Sequence, residues 1–151
     1  MDLSGTYIPP DQQRSPDFQL TIPSMLDKLN AVEEITERVA DAFHLRDDDR
    51  DNLAIAVTEL TNNAIIHGNK FDPKKNVILS FYNDDGVLKV YIRDFGKGFD
   101  PGAVDNPLDP ENLLKESGRG IFILRSIMDD VQFMFAGEGT VVKIVKRIQP
   151  K

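Results

Sequence analysis

The sequence predicts an α+β two-layer sandwich, with helices on one face of a mixed, largely antiparallel sheet. Three observations predict it. Apolar residues alternate over 18–22, switch to three-to-four spacing over two long stretches, and later alternate again in two pairs of strands. Short Gly-containing turns join the members of each pair, as in antiparallel hairpins. Strands and helices do not alternate one for one, which argues against a doubly wound parallel fold.

Residues 1–16, with Pro9, Pro10 and Pro16 among polar neighbours, read as a flexible N-terminal arm ahead of one domain at 17–149. Phe18, Leu20 and Ile22 alternate as a first strand that Pro23 ends. Ser24 is a candidate N-cap for a helix whose core stripe is Met25, Leu29, Val32, Ile35, Val39 and Phe43. The acidic turn Asp47-Asp48-Asp49 suits the positive start of a second helix. Leu53, Ala56, Val57, Leu60, Ala64 and Ile65 are its core stripe, and Gly68 stops it.

Val77–Tyr82 and Val87–Ile92 form a hairpin through Asn83-Asp84-Asp85-Gly86. From Asp94 to Ser117 regular patterning breaks down, and so long a stretch inside a compact domain reads as a functional lid, placed at 99–117. Asp109-Pro110-Glu111 could open a short helix within it. A further helix with Ile121, Leu124, Ile127 and Met128 inward leads to strands at Val131–Phe135 and Thr140–Ile148, separated by Gly137-Glu138-Gly139.

A chain of 151 residues with 40% apolar and 28% charged residues fits one globular domain. A formal charge of −7 argues against a nucleic-acid or anionic-membrane surface. With no cysteine there are no disulfides or thiolate metal sites, which suits the cytoplasm. No signal peptide is expected after Met1-Asp2-Leu3-Ser4, and the apolar run Ile121–Leu124 is too short to span a bilayer.

Three clusters carry chemistry. Glu59, Asn63 and His67 recur every four residues and share one stripe of the second helix. A carboxylate can take a proton, and an amide oxygen one turn away is a hard ligand suited to Mg2+; the same stripe is also what the solvated side of a helix looks like. Asp94-Phe95-Gly96-Lys97-Gly98-Phe99-Asp100 follows a strand, and its alternate glycines allow either an ordinary turn or close approach of backbone to a ligand. Ser117-Gly118-Arg119-Gly120 opens a helix, where free N–H groups and a guanidinium can hold phosphate, or merely lead the chain in.

In this order and spacing the three clusters resemble the N, G1 and G2 boxes of the GHKL ATPase superfamily, which includes histidine kinases, type II topoisomerases, a heat-shock chaperone and mismatch-repair proteins. The strongest likeness is to the bacterial anti-sigma-factor serine/threonine-protein kinases, and it runs from about Phe18 to Ile148. The resemblance implies the Bergerat ATP-binding fold, with ATP and Mg2+ as cofactors. It implies Glu59 as general base toward a serine hydroxyl and Asn63 as the Mg2+ ligand, chosen over Asn62 because Ala64 and His67-Gly68 set the register. It assigns Asp94 to the adenine amino group, Gly96 and Gly98 to admitting the nucleotide, and Gly118, Arg119 and Gly120 to the phosphates. Thr140 would lie near adenine, while His67 would touch phosphate or cap its helix.

The function implied is a cytoplasmic ATP-dependent protein-serine kinase that acts as an anti-sigma factor. Its implied partners are a sigma factor and a STAS-domain anti-sigma antagonist, which it phosphorylates, and it would be a homodimer. An ATP-responsive binding module without phosphotransfer is the alternative, which Glu59 disfavours. A topoisomerase or chaperone motor fragment lacks room for a transducer domain. A histidine-kinase catalytic domain lacks a phosphoacceptor hairpin, and His44 has no acidic neighbour on either side.

Overall fold

The computed structural model describes residues 5–96, 120–135 and 137–148. β1 is Phe18–Pro23, and a 3-10 turn at Leu26–Lys28 leads into α1, Leu29–Ala42. α2 spans Asp47–Asn63 and continues into a π turn at Ala64–Gly68. β2 (Asn76–Asp84) and β3 (Val87–Arg93) form the first hairpin. α3 (Gly120–Ile127) then precedes β4 (Asp130–Phe135) and β5 (Thr140–Arg147). The two-layer arrangement agrees with the sequence pattern. The expected lid at 99–117 and the short helix after Asp109 lie outside the described residues.

The five strands form one sheet in the order β1-β2-β3-β5-β4. Every neighbouring pair is antiparallel, so the expected mixed sheet is wholly antiparallel among the described residues. The reason is topological. Two helices between β1 and β2 give the chain three reversals, so β2 returns antiparallel to β1 and Pro23 lies beside Asn76. A single helix separates β3 from β4, so those strands point the same way, but β5 lies between them. The β2–β3 hairpin turns on Asp85 (φ 52°) and Gly86 (φ 83°), the two left-handed residues of a type I′ loop, and the Gly86 N–H donates to Asn83 Oδ1 at 3.0 Å.

Period-two alternation divides the sheet's faces. Val77, Leu79, Phe81, Leu88, Val90, Ile92 and Ile144 face the helices and bury against Val32, Val39, Leu53, Val57, Leu60 and Leu124. The stripe assigned to α2 is buried throughout, Ile65 included. On α1, Val32 and Val39 are buried as expected, but Met25 is 40% exposed because the chain enters the helix through the 3-10 turn. Ser24 does not cap that turn. It is buried, and its hydroxyl donates to the Lys75 carbonyl at 2.7 Å.

The opposite face of the sheet carries Tyr82, Tyr91 and Val141, all fully buried. Residues 7–16, part of the segment expected as an arm, cover them together with Asp17. Buried tyrosine hydroxyls usually find partners, and this segment supplies them for Tyr82 and Tyr91. Tyr82 donates to the Arg14 carbonyl at 3.0 Å, and Gln12 Nε2 donates to the Tyr91 hydroxyl at 2.8 Å. Gln19 Nε2 donates to the Tyr7 carbonyl at 2.7 Å, and Lys143 pairs with Asp11 at 2.6 Å. This Pro-rich segment runs over the sheet as an irregular strap.

Arg14 pins the strap's end by forking onto Asp17 at 3.0 Å and Asp84 at 2.8 Å. The Arg14 guanidinium holds both carboxyls below their usual value of 3.8. A depressed folded pKa gives stability that is present above the ordinary carboxylate value and is lost as pH falls through the folded one. Hydrogen exchange at residues 12–17 is therefore expected to accelerate below pH 3.8, ahead of exchange in β2 and β3.

Candidate functional site

The end of α2 is built differently from an ordinary helix stop. The Asn69 N–H reaches the Ala64 carbonyl at 2.8 Å, closing the π turn, and Lys70 (φ 52°) and Phe71 (φ 61°) take the left-handed conformation. Gly68, expected to terminate the helix by its own backbone freedom, has no positive φ. A side chain there would collide with the Asp94 carboxylate, so Gly68 is small to admit Asp94. A Cβ on Gly96 would strike the Gly68 carbonyl, and one on Gly139 (φ 91°) would strike the Asp94 carbonyl. Three glycines from three segments thus converge around one aspartate.

Asp94 follows β3 and is 8% exposed. Its Oδ1 accepts the Gly96 N–H at 3.0 Å and the Thr140 N–H at 3.3 Å. Its own N–H donates to the Thr140 carbonyl at 3.0 Å. Oδ2 makes no hydrogen bond among the described residues and is the oxygen left to accept from a ligand amine. Burial raises the Asp94 pKa above the usual 3.8, and the Gly96 and Thr140 N–H groups partly counter it.

Sequence reasoning missed Asn69, which is buried and joins four segments. Its Nδ2 donates to Ser24 Oγ at 2.8 Å and to the Asn76 carbonyl at 3.0 Å, while its Oδ1 accepts the Phe95 N–H at 2.8 Å. It ties the end of α2 to the loop that carries Asp94. A polar residue just past an apolar helix was its sole signal. Asn69→Ala leaves these buried groups unpaired, and a loss of roughly 2–4 kcal/mol is expected by denaturant titration.

Glu59 and Asn63 lie one turn apart on α2, both half-buried, and His67 is exposed in the π turn. Glu59 walls a groove of about 410 Å³ between α2 and α3, together with Ala54, Ile55, Thr58, Ile123 and Leu124. The structure therefore brings Asp94, Gly96, Thr140 and the end of α2 together, and sets Glu59 in the groove between α2 and α3. Gly98, Gly118 and Arg119 lie outside the described residues, while Gly120 is the first residue of α3. No three His, Cys, Asp or Glu side chains cluster as a metal site among the described residues. One amide is still a fitting donor set for Mg2+, which usually takes one or two protein oxygens and fills its sphere with phosphate and water.

A family model described as the histidine kinase-like ATPase domain matches residues 22–146, spanning both the Asp94 loop and α2. The chain belongs to the histidine kinase-like ATPase domain family. Relatives within it include the serine-protein kinase RsbW of Staphylococcus epidermidis, 33% identical over 109 residues that cover 68% of each chain. The serine-protein kinase RsbW of Halalkalibacterium halodurans is 28% identical over 138 residues, covering 87% of this chain and 83% of that one. Among solved structures, the RsbU and RsbW domains of a Mycobacterium tuberculosis protein superpose with a TM-score of 0.62 at 16% identity, covering 92% of this chain. This chain spans 35% of that one. The catalytic domain of histidine kinase ThkA superposes with a TM-score of 0.52 at 13% identity, covering 89% and 99% of the two chains. These superpositions show the histidine kinase-like ATPase fold. No described helix is long and apolar enough to cross a membrane.

Proposed function

We propose that the chain is a cytoplasmic ATP-dependent protein-serine kinase that serves as an anti-sigma factor and phosphorylates a STAS-type anti-sigma antagonist. The observation that carries the proposal is one helix bearing a half-buried Glu59 on a groove wall and Asn63 a turn later, with its end locked to the buried Asp94. The serine-protein kinase relatives support the reaction type. In this reading the adenine amine donates to Asp94 Oδ2, which orients the nucleotide along α2. Asn63 would hold Mg2+, which when bound offsets charge on the phosphate oxygens.

Glu59 accepts the proton of the acceptor serine as its oxygen forms a bond to the γ-phosphorus. The bond from that phosphorus to the bridging oxygen breaks, and its electron pair leaves with ADP. The protein's part is chiefly positioning and charge neutralisation. In this reading a homodimer sequesters a sigma factor, and the phosphate dianion placed on the antagonist disfavours its rebinding.

A module that binds ATP without transferring phosphate is the competing reading, and Glu59 on an accessible wall counts against it. Labelled ATP incubated with STAS-domain proteins encoded beside this gene distinguishes the two. Transfer to a serine that is lost in Asn63→Ala supports the kinase. ATP binding with no labelled protein would leave the binding module.

A further inference from the structure

The strap reaches the nucleotide site through a stack of three side chains. The Arg93 guanidinium lies 4.9 Å from the centre of the Tyr7 ring and 4.4 Å from the centre of the Phe95 ring. Arg93 is the last residue of β3, so the residue between it and Phe95 is Asp94. Arg93 has few other holds. Its Nε is buried without a hydrogen bond among the described residues, and one terminal nitrogen reaches the Glu138 carbonyl at 3.4 Å. The two aromatic faces are therefore its main partners, and such contacts strengthen as the cation is desolvated.

Tyr7 is fixed more firmly than a tail residue needs to be. It is 8% exposed, and its backbone is held on both sides by the Gln19 amide, which accepts its N–H at 3.4 Å and donates to its carbonyl at 2.7 Å. Its hydroxyl is buried without a well-aligned hydrogen bond among the described residues. The ring stacks on Arg93, and the hydroxyl's charged neighbour is the same guanidinium.

We infer that Tyr7 is a positioning residue for adenine recognition, acting through Arg93 and Phe95 to hold the Asp94 loop in its receptive shape. The inference rests on Asp94 binding the base. Three consecutive N–H groups of this loop are already pinned, by the Thr140 carbonyl, the Asn69 side chain and Asp94 itself. Those pins hold the backbone. The stack holds the Phe95 side chain, and Tyr7 closes its other end. Without Tyr7, Arg93 turns to water, Phe95 loses its cover, and the loop samples orientations in which Oδ2 no longer meets an amine.

The test is titration of the full chain with ADP and with GDP, in Mg2+ buffer, by displacement of a fluorescent nucleotide, with melting temperature measured in parallel. Tyr7→Ala is expected to weaken ADP about three- to tenfold, the range such cation–π contacts support, and to leave GDP unchanged. Tyr7→Phe keeps the ring and is expected to bind ADP as the unaltered protein does. Should Tyr7→Ala fail to fold, Arg93→Lys keeps the charge but loses the planar stack, and the same loss of ADP preference is expected. Equal weakening of ADP and GDP, no weakening, or a Tyr7→Phe defect as large as that of Tyr7→Ala would each overturn the inference while the base assignment stands. Failure of the unaltered protein to bind ADP would remove both.

Discussion

With Glu59 as the proposed general base, Glu59→Ala is expected to lower the rate of phosphate transfer to serine by about 10²–10⁴-fold, the usual contribution of such a group, while ATP affinity changes little. The separation follows from geometry. Glu59 stands on the wall of the α2–α3 groove, and Asp94 sits among Gly68, Gly96 and Gly139 past the helix end. In the proposed reading, removing Glu59 acts on the proton step, whereas the grip on the adenine and phosphates is exerted elsewhere. Single-turnover transfer and equilibrium ATP titration on the same sample read the two quantities. Unimpaired transfer in Glu59→Ala would remove its catalytic assignment, and a parallel loss of ATP affinity would make it a binding residue instead.

Asp94→Asn has the opposite profile, losing affinity while gaining stability. Its amide oxygen can still accept from the Gly96 and Thr140 N–H groups, but the amide nitrogen replaces Oδ2. A donor then faces the donor of the adenine amine. Leaving such groups unpaired in a buried site costs about 1–3 kcal/mol, or roughly 5–150-fold in ADP affinity. Stability moves the other way because burial raises the Asp94 pKa, so the ionised form is disfavoured in the folded state. Above that raised pKa the carboxylate lowers stability relative to a neutral group, and as pH falls through it the penalty disappears. The variant should therefore melt higher than the unaltered protein at pH 7, and the gap should close in acid. A lower melting temperature at pH 7 would mean that the two N–H bonds need the full carboxylate charge.

Local patterns in the sequence captured the elements well, because each is written in a short window. Leu53, Val57 and Leu60 declare a helix face without reference to anything distant, and Asp85-Gly86 declares a tight turn. The misreadings share one cause. Ser24 has the side chain of a cap, and nothing nearby shows that the Lys75 carbonyl and the Asn69 amide will claim its hydroxyl. Residues 7–17 lack periodicity, and their order comes from tyrosines on strands that follow much later.

The chemistry-bearing positions were legible in part. Glu59 and Asn63 could be paired from helical spacing alone, and Asp94 stood out at the end of a strand beside a run of glycines. Their roles came from the family likeness, which the match over residues 22–146 now supports. Gly68 and Gly139 gave no hint that they make room for Asp94, since that crowding joins residues 26 and 45 positions apart. By itself, the sequence determined the element order, the apolar faces and the candidate proton, metal and base contacts, because periodicity and spacing act within one helix or strand. Only the tertiary structure decided that the described strands all pair antiparallel, that the strap seals the sheet's outer face, and that glycines and Asn69 clasp Asp94, because close packing and hydrogen-bond pairing between distant segments exist only once the chain has folded.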